Sequence, residues 1–162
     1  MRKFSAATIA PMSATSLSDT EMRAWQAMLH AHHQVVQTLD RELREQHGLS
    51  LAAYDVLLRL ARAPERALNM TDLAERVMLS PSGLTRVVDR LVEKGLVRRQ
   101  ADPADARIAL ACLTDDGLRQ LKIAARTHLR GIREHFTGQL SETKLRNIAS
   151  ALETITGPHI PH

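Results

Sequence analysis

The run Ser80-Pro81-Ser82-Gly83-Leu84-Thr85-Arg86-Val87-Val88-Asp89-Arg90 sets small hydroxyls, a glycine and two arginines beside an apolar stripe. Those residue types suit contact with double-stranded nucleic acid. An arginine fork donates two parallel hydrogen bonds to guanine or phosphate, serine and threonine reach phosphates and thymine methyls, and a helix N-terminus offers unpaired N–H groups to an anion. Ser80, Ser82, Gly83, Thr85, Arg86 and Arg90 are therefore the candidate groove contacts. The competing reading is an ordinary solvated helix face, which Asp89 and Glu93 fit equally well. Catalysis has no comparable foothold: there is no Gly-rich phosphate loop, no H-E-x-x-H, no G-x-S-x-G and no nucleophile beside a base. No enzyme activity, catalytic residue, resident metal or cofactor is expected.

Six places repeat one local pattern, a Leu followed by a capping Ser, Thr or Asn and an apolar residue four positions beyond the cap. They are Leu17-Ser18 with Met22, Leu49-Ser50 with Tyr54, Leu68-Asn69 with Leu73, Leu79-Ser80 with Leu84, Leu113-Thr114 with Leu118, and Leu140-Ser141 with Leu145. Each cap oxygen satisfies an orphan N–H of the first turn, and the flanking apolar pair fixes the angle at which the chain enters the helix. Helices are predicted over 19–47, 51–63, 70–77, 81–94, 115–137 and 142–155, with Gly48 and Pro64 ending the first two. The first carries the stripe Trp25, Leu29, Val36, Leu39 and Leu43, and the fourth carries Leu84, Val87, Val88, Leu91 and Val92. After Gly95 the runs 96–100 and 107–113 flank Asp102-Pro103-Ala104-Asp105, which reads as a β-hairpin around a turn. Helix, tight turn, amphipathic helix and hairpin is the order of a winged helix-turn-helix, whose second helix fits a major groove.

At 162 residues the chain is about one domain, and its 44% hydrophobic content, rich in Leu and Ala, predicts a mainly α protein with a small β-hairpin wing. Two Phe, one Tyr and one Trp are too few for a platform that stacks single-stranded bases. A net charge of +4 is compatible with a nucleic-acid partner without requiring one. The lone Cys112 excludes an internal disulfide and a Cys-paired zinc site, and it points to a reducing cytoplasm, with Cys112 itself a buried, inert thiol. No apolar run is long enough to span a membrane. The organisation expected is a flexible extension over 1–17, a winged lobe over 49–114, and a helical dimerisation region over 18–48 and 115–157. Leu129, Ile132, Phe136, Leu145, Ile148, Leu152 and Ile155 supply more apolar surface than the lobe needs, so the terminal helices either pair two chains or fold over their own lobe.

The chain resembles the MarR family of bacterial transcriptional regulators. The resemblance rests on Tyr54-Asp55-Val56-Leu57, Leu73-Ala74-Glu75-Arg76, the stretch 80–95 with Leu96-Val97-Arg98-Arg99, and above all Asp102-Pro103-Ala104-Asp105-Ala106-Arg107 followed by Leu113-Thr114-Asp115-Asp116-Gly117. It implies an obligate homodimer on a pseudo-palindromic double-stranded DNA operator, with Arg107 reaching the minor groove from the wing and Asp105 holding the wing. It also implies a repressor released by a small effector, often phenolic or aromatic, for which Trp25, His32, His33, Tyr54 and Arg59 are the residues to inspect. Trp25 and Tyr54 equally fit plain core positions. Two further readings stay open. His30, His32 and His33 on the first helix, with His128 and His135 on the fifth, could hold a sensed metal, or they are simply exposed titrating groups. The winged lobe could also be a protein-interaction module, against which Arg86, Arg90 and Arg107 count.

Overall fold

The computed structural model describes residues 16–77, 79–103 and 105–157, so most of the expected extension over 1–17 lies outside the described residues. Helix α1 covers Asp19–His47, α2 Leu51–Arg62, α3 Met70–Val77, α4 Pro81–Glu93, α5 Asp115–His135 and α6 Glu142–Thr156. Strands β1 (Ala67–Asn69), β2 (Val97–Ala101) and β3 (Ala109–Leu113) form one sheet, and 3-10 turns cover Pro64–Arg66 and Thr137–Gln139. The fifth helix, predicted to 137, ends at His135: Phe136 caps it and Thr137 opens that second turn.

All six expected caps form. Ser18 and Glu21 make a reciprocal box, in which the Glu21 N–H donates to Ser18 Oγ and the Ser18 N–H to Glu21 Oε2. Ser50 Oγ accepts from the Ala53 N–H, Asn69 Oδ1 from Asp72, Ser80 Oγ from Gly83, Thr114 Oγ1 from Gly117 and Ser141 Oγ from Lys144. Pro81 follows the Ser80 cap at a position where its missing N–H removes no helical bond.

The sheet has the order β1-β3-β2 with both pairings antiparallel. The expected hairpin is present, with Val97 opposite Leu113 and Ala101 opposite Ala109. A third strand joins it, because Ala67 to Asn69 pair with Cys112 to Leu110 along the free edge of β3. Three residues carry no periodicity to read, which is why β1 was not predicted. It is reached through Glu65 and Arg66, both at positive φ, a region that residues with a Cβ enter at some cost. Leu57, Leu60, Leu73, Leu84, Val88, Leu91 and Val97 meet in a core that also takes in Ala111 and Leu113, and Cys112 between them in β3 is buried as well.

The root of the wing is tied by one residue. Thr114 Oγ1 donates to the Gly95 carbonyl at 2.8 Å while accepting from Gly117, and the Thr114 N–H donates to the Leu96 carbonyl at 3.1 Å. A Cβ on Gly117 would lie 2.1 Å from that same Leu96 oxygen. The Leu-Thr-x-x-Gly pattern is thus a cap plus a close backbone approach that only glycine permits.

The chain divides into two compact units, residues 1–34 and 35–162, with the division inside α1. In the first, Trp25 and Leu29 are exposed, whereas Leu39 and Leu43 in the second are buried. This corrects the reading of Trp25 as a core residue: periodicity marks which side of a helix is apolar and says nothing of what covers it. Among the described residues no helix is long and apolar enough to cross a membrane.

Candidate nucleic-acid interface

The N-terminus of α4 gathers Ser80, Ser82 and Gly83. Ser80 Oγ accepts the Gly83 N–H at 3.2 Å and lies 3.4 Å from Ser82 Oγ. Thr85, itself exposed, donates its hydroxyl to the Pro81 carbonyl at 2.9 Å, which fixes its rotamer. Leu84, Val88 and Leu91 anchor the opposite face in the core, so Arg86 and Arg90 stand exposed one turn apart. Anchoring one face this tightly is what lets a short helix present the other at a defined angle.

Beyond β2 the chain turns at the wing tip, where the Asp102 N–H donates to the Ile108 carbonyl and the Ile108 N–H to the Asp105 carbonyl, both at 2.9 Å. Arg107 falls in this turn and not in the strand predicted from 107, since β3 starts at Ala109. Its side chain is 90% exposed, yet it is held. Asp105 Oδ1 accepts the Arg107 backbone N–H and Nε, and Oδ2 accepts Nη2, all at 3.0 Å. The fork holds the Asp105 carboxyl below its ordinary range and raises the Arg107 guanidinium above its own. Behind the tip, Arg98 pairs with Gln100 and Arg99 Nη2 donates to Asp89 Oδ1 of α4 at 2.7 Å. Sequence reasoning noted that Asp89 fits a solvated helix face and missed this pair, for which ten residues of separation across a turn gave no signal.

The family profile described as MarR family matches residues 47–108. AbsC of Streptomyces coelicolor, a MarR family transcriptional regulator, is 31% identical with a TM-score of 0.81, over 88% of this chain and 96% of that one. Sco3205 of the same organism, solved in complex with DNA, is 30% identical with a TM-score of 0.81, over 87% and 92%. The transcriptional repressor MdtR of Bacillus subtilis is 33% identical over 100 residues, 62% of this chain, which spans 63% of that repressor's length. The chain belongs to the MarR family. Its relatives are transcriptional regulators and not enzymes.

The residues singled out for an effector fall into two groups in this MarR-family chain. Trp25, His32 and His33 are exposed on the part of α1 that lies in the first unit. Tyr54 and Arg59 are on α2 in the second. Tyr54 is buried, its ring centroid 4.5 Å from that of His128 with the planes tilted by 41°. Burial raises the Tyr54 phenol, and burial lowers His128 against the opposing charge of Asp55. His128 Nδ1 is buried without a hydrogen-bond partner. Arg59 Nε donates to Asp55 Oδ1 at 3.2 Å. His128 therefore belongs with Tyr54, a pairing that only tertiary packing reveals.

Within the second unit, His128 and His135 take different partners. His135 Nε2 lies 2.6 Å from Glu42 Oε1, while His128 stacks on Tyr54. Among the described residues, the group whose ligand atoms converge, within 4.8 Å of one another, is Glu42, Glu134 and His135. Only His135 of that trio was expected.

Proposed function

We propose that this MarR-family chain is a cytoplasmic, sequence-specific regulator that binds double-stranded DNA as a homodimer on a pseudo-palindromic operator and represses transcription there. The observation that carries the reading is the pairing of α4, with Arg86 and Arg90 exposed beyond a buried face, and a wing tip that holds Arg107 outward on Asp105. In this reading α4 enters the major groove, with Ser80, Ser82 and Gly83 on phosphate, and Arg107 enters the minor groove, where negative potential is concentrated. The DNA complex of Sco3205, at 30% identity, supports it.

The homodimer is supported by apolar side chains outside the lobe: Leu129 is 61% exposed and Ile155 78%. Residues 49–114 then form the DNA-binding lobe, and 18–48 with 115–157 the dimerisation region. Release by a small phenolic or aromatic effector, with Trp25, His32, His33, Tyr54 and Arg59 as its candidate contacts, completes the proposal. Selection from a random duplex pool followed by fluorescence anisotropy tests it. The expected result is a two-fold sequence with half-sites about one helical turn apart, bound with an affinity that falls steeply as salt rises. Binding that ignored both sequence and salt would overturn it, and a thermal-shift screen of phenolic acids tests the effector arm.

A further inference from the structure

We infer that Asp89 and Arg99 are positioning residues for DNA recognition: their ion pair sets the recognition helix α4 against the wing strand β2, so that an acidic side chain on the DNA-facing helix aids operator binding. The inference rests on the DNA-binding reading above and names a determinant within it. Asp89 lies on the exposed side of α4 between Arg86 and Arg90, where a free carboxylate would repel phosphate. It is not free, because its Oδ1 takes the Arg99 Nη2 hydrogen bond at 2.7 Å. Arg99 stands at the middle of β2, in register with the buried Ala111 of the central strand β3, so its backbone is fixed by the sheet. Its side chain borders a cleft of about 490 Å³ together with Thr85 of α4 and Glu75 of α3. Glu75 thus lines that cleft with Arg99, yet the carboxylate bonded to Arg99 is Asp89 on the recognition helix. Between the two paired residues the chain turns at Gly95, at φ +70, where the Gly95 N–H donates to the Val92 carbonyl and the Leu96 N–H to the Leu91 carbonyl, and the pair adds a side-chain strut across this backbone-bonded turn.

With its side chains 37% and 52% exposed, such a pair contributes little to folding stability. Its effect belongs in geometry. A helix in the major groove and an arginine in the minor groove read one half-site together only if their separation is held, whereas contacts to phosphate alone tolerate play. Losing the strut therefore lowers affinity for operator and spares affinity for unrelated duplex.

The test compares wild type, Asp89→Ala, Asp89→Asn, Arg99→Ala and the exchange variant Asp89→Arg/Arg99→Asp, in anisotropy titrations with selected operator and scrambled duplex across salt. Asp89→Ala is expected to weaken operator binding roughly tenfold, about the cost of one lost base contact, with scrambled-duplex affinity equal or higher. Asp89→Asn, which keeps an acceptor, falls between. Arg99→Ala shows the operator loss with the salt slope retained, and the exchange variant, with the charge of wild type, recovers most of the operator affinity. A thermal midpoint close to wild type throughout separates this from a folding defect. Asp89→Ala binding every duplex more tightly would overturn the inference, as removing a merely solvated acid should do so. So would an Arg99→Ala salt slope lower by about two per dimer without recovery on exchange, the mark of a phosphate contact. A wild type that bound no duplex would instead remove the DNA-binding reading, and the inference with it.

Discussion

The winged lobe and the closing helix α6 carry the same kinds of apolar residue and treat them in opposite ways. In the lobe, Leu57, Leu60, Leu84 and Leu91 are lost from solvent altogether, on helices whose polar faces look outward. Helix α6 is also amphipathic, but it has no buried residue, and Leu152 and Ile155 stand in solvent at 41% and 78%. One chain suffices to close the lobe. It leaves α6 with apolar surface that the proposed homodimer would cover.

The contrast is broken or sharpened first by truncation. Leu57→Ala should cost about 2–5 kcal/mol in urea denaturation, since it empties a site with no slack, while Leu152→Ala measured on dilute protein should cost under about 1 kcal/mol. Equal losses would mean that α6 is covered within its own chain. Next, Leu129→Arg with Ile155→Arg should halve the mass seen by light scattering and abolish tight operator binding, leaving the far-ultraviolet helical signal of the lobe. On the lobe's outer face, Arg90→Ala should cost about 1–3 kcal/mol of operator affinity if it touches a base. Arg107→Ala should weaken operator and scrambled duplex alike and lower the salt slope by about two per dimer, with Asp105→Ala a milder copy.

The smallest effect is a matter of pH. His128 is held below its ordinary value of 6.5 by burial, with the Asp55 charge opposing. Near pH 6.5 the unfolded chain takes up a proton that the folded His128 declines. Its contribution is therefore intact above that pH and is lost as pH falls from there toward the folded value. Partial exposure of the ring trims the size of this term. Thermal midpoints between pH 8 and 5 should fall less steeply for His128→Phe than for wild type, and parallel curves would show that His128 is solvated.

The helices were legible because each announces itself locally: a cap such as Ser50 or Thr114 and a stripe such as Leu84, Val88 and Leu91 need only their own segment to be read. The wing was legible through its turn residues and through the family resemblance. What escaped depends on elements distant in sequence. Strand β1 exists because β3 has a free edge, and the Tyr54–His128 stack joins α2 to α5. Asp89 meets Arg99 only once the turn at Gly95 brings β2 back beside α4. Arg107 was placed in a strand but lies in the turn before Ala109, since the turn residues Asp102 to Asp105 do not mark where pairing begins. The residues of the candidate interface were thus visible as types, and their mutual bonds were not.

The packing of Leu96 against Gly117 divides the hairpin into a part that evolution can edit and a part that it cannot. At the root, adding a single methyl at Gly117 would collide with a backbone oxygen that Thr114 already holds, and no side-chain adjustment relieves a clash with the main chain. At the tip, Pro103, Ala106 and Arg107 are exposed and closed by two backbone bonds. Insertions and charge changes there lengthen or retune the reach of the hairpin while the hinge that joins it to α5 stays as it is. A lineage descending from this sequence can therefore vary the tip, and with it the minor-groove contact proposed for Arg107, without renegotiating the fold.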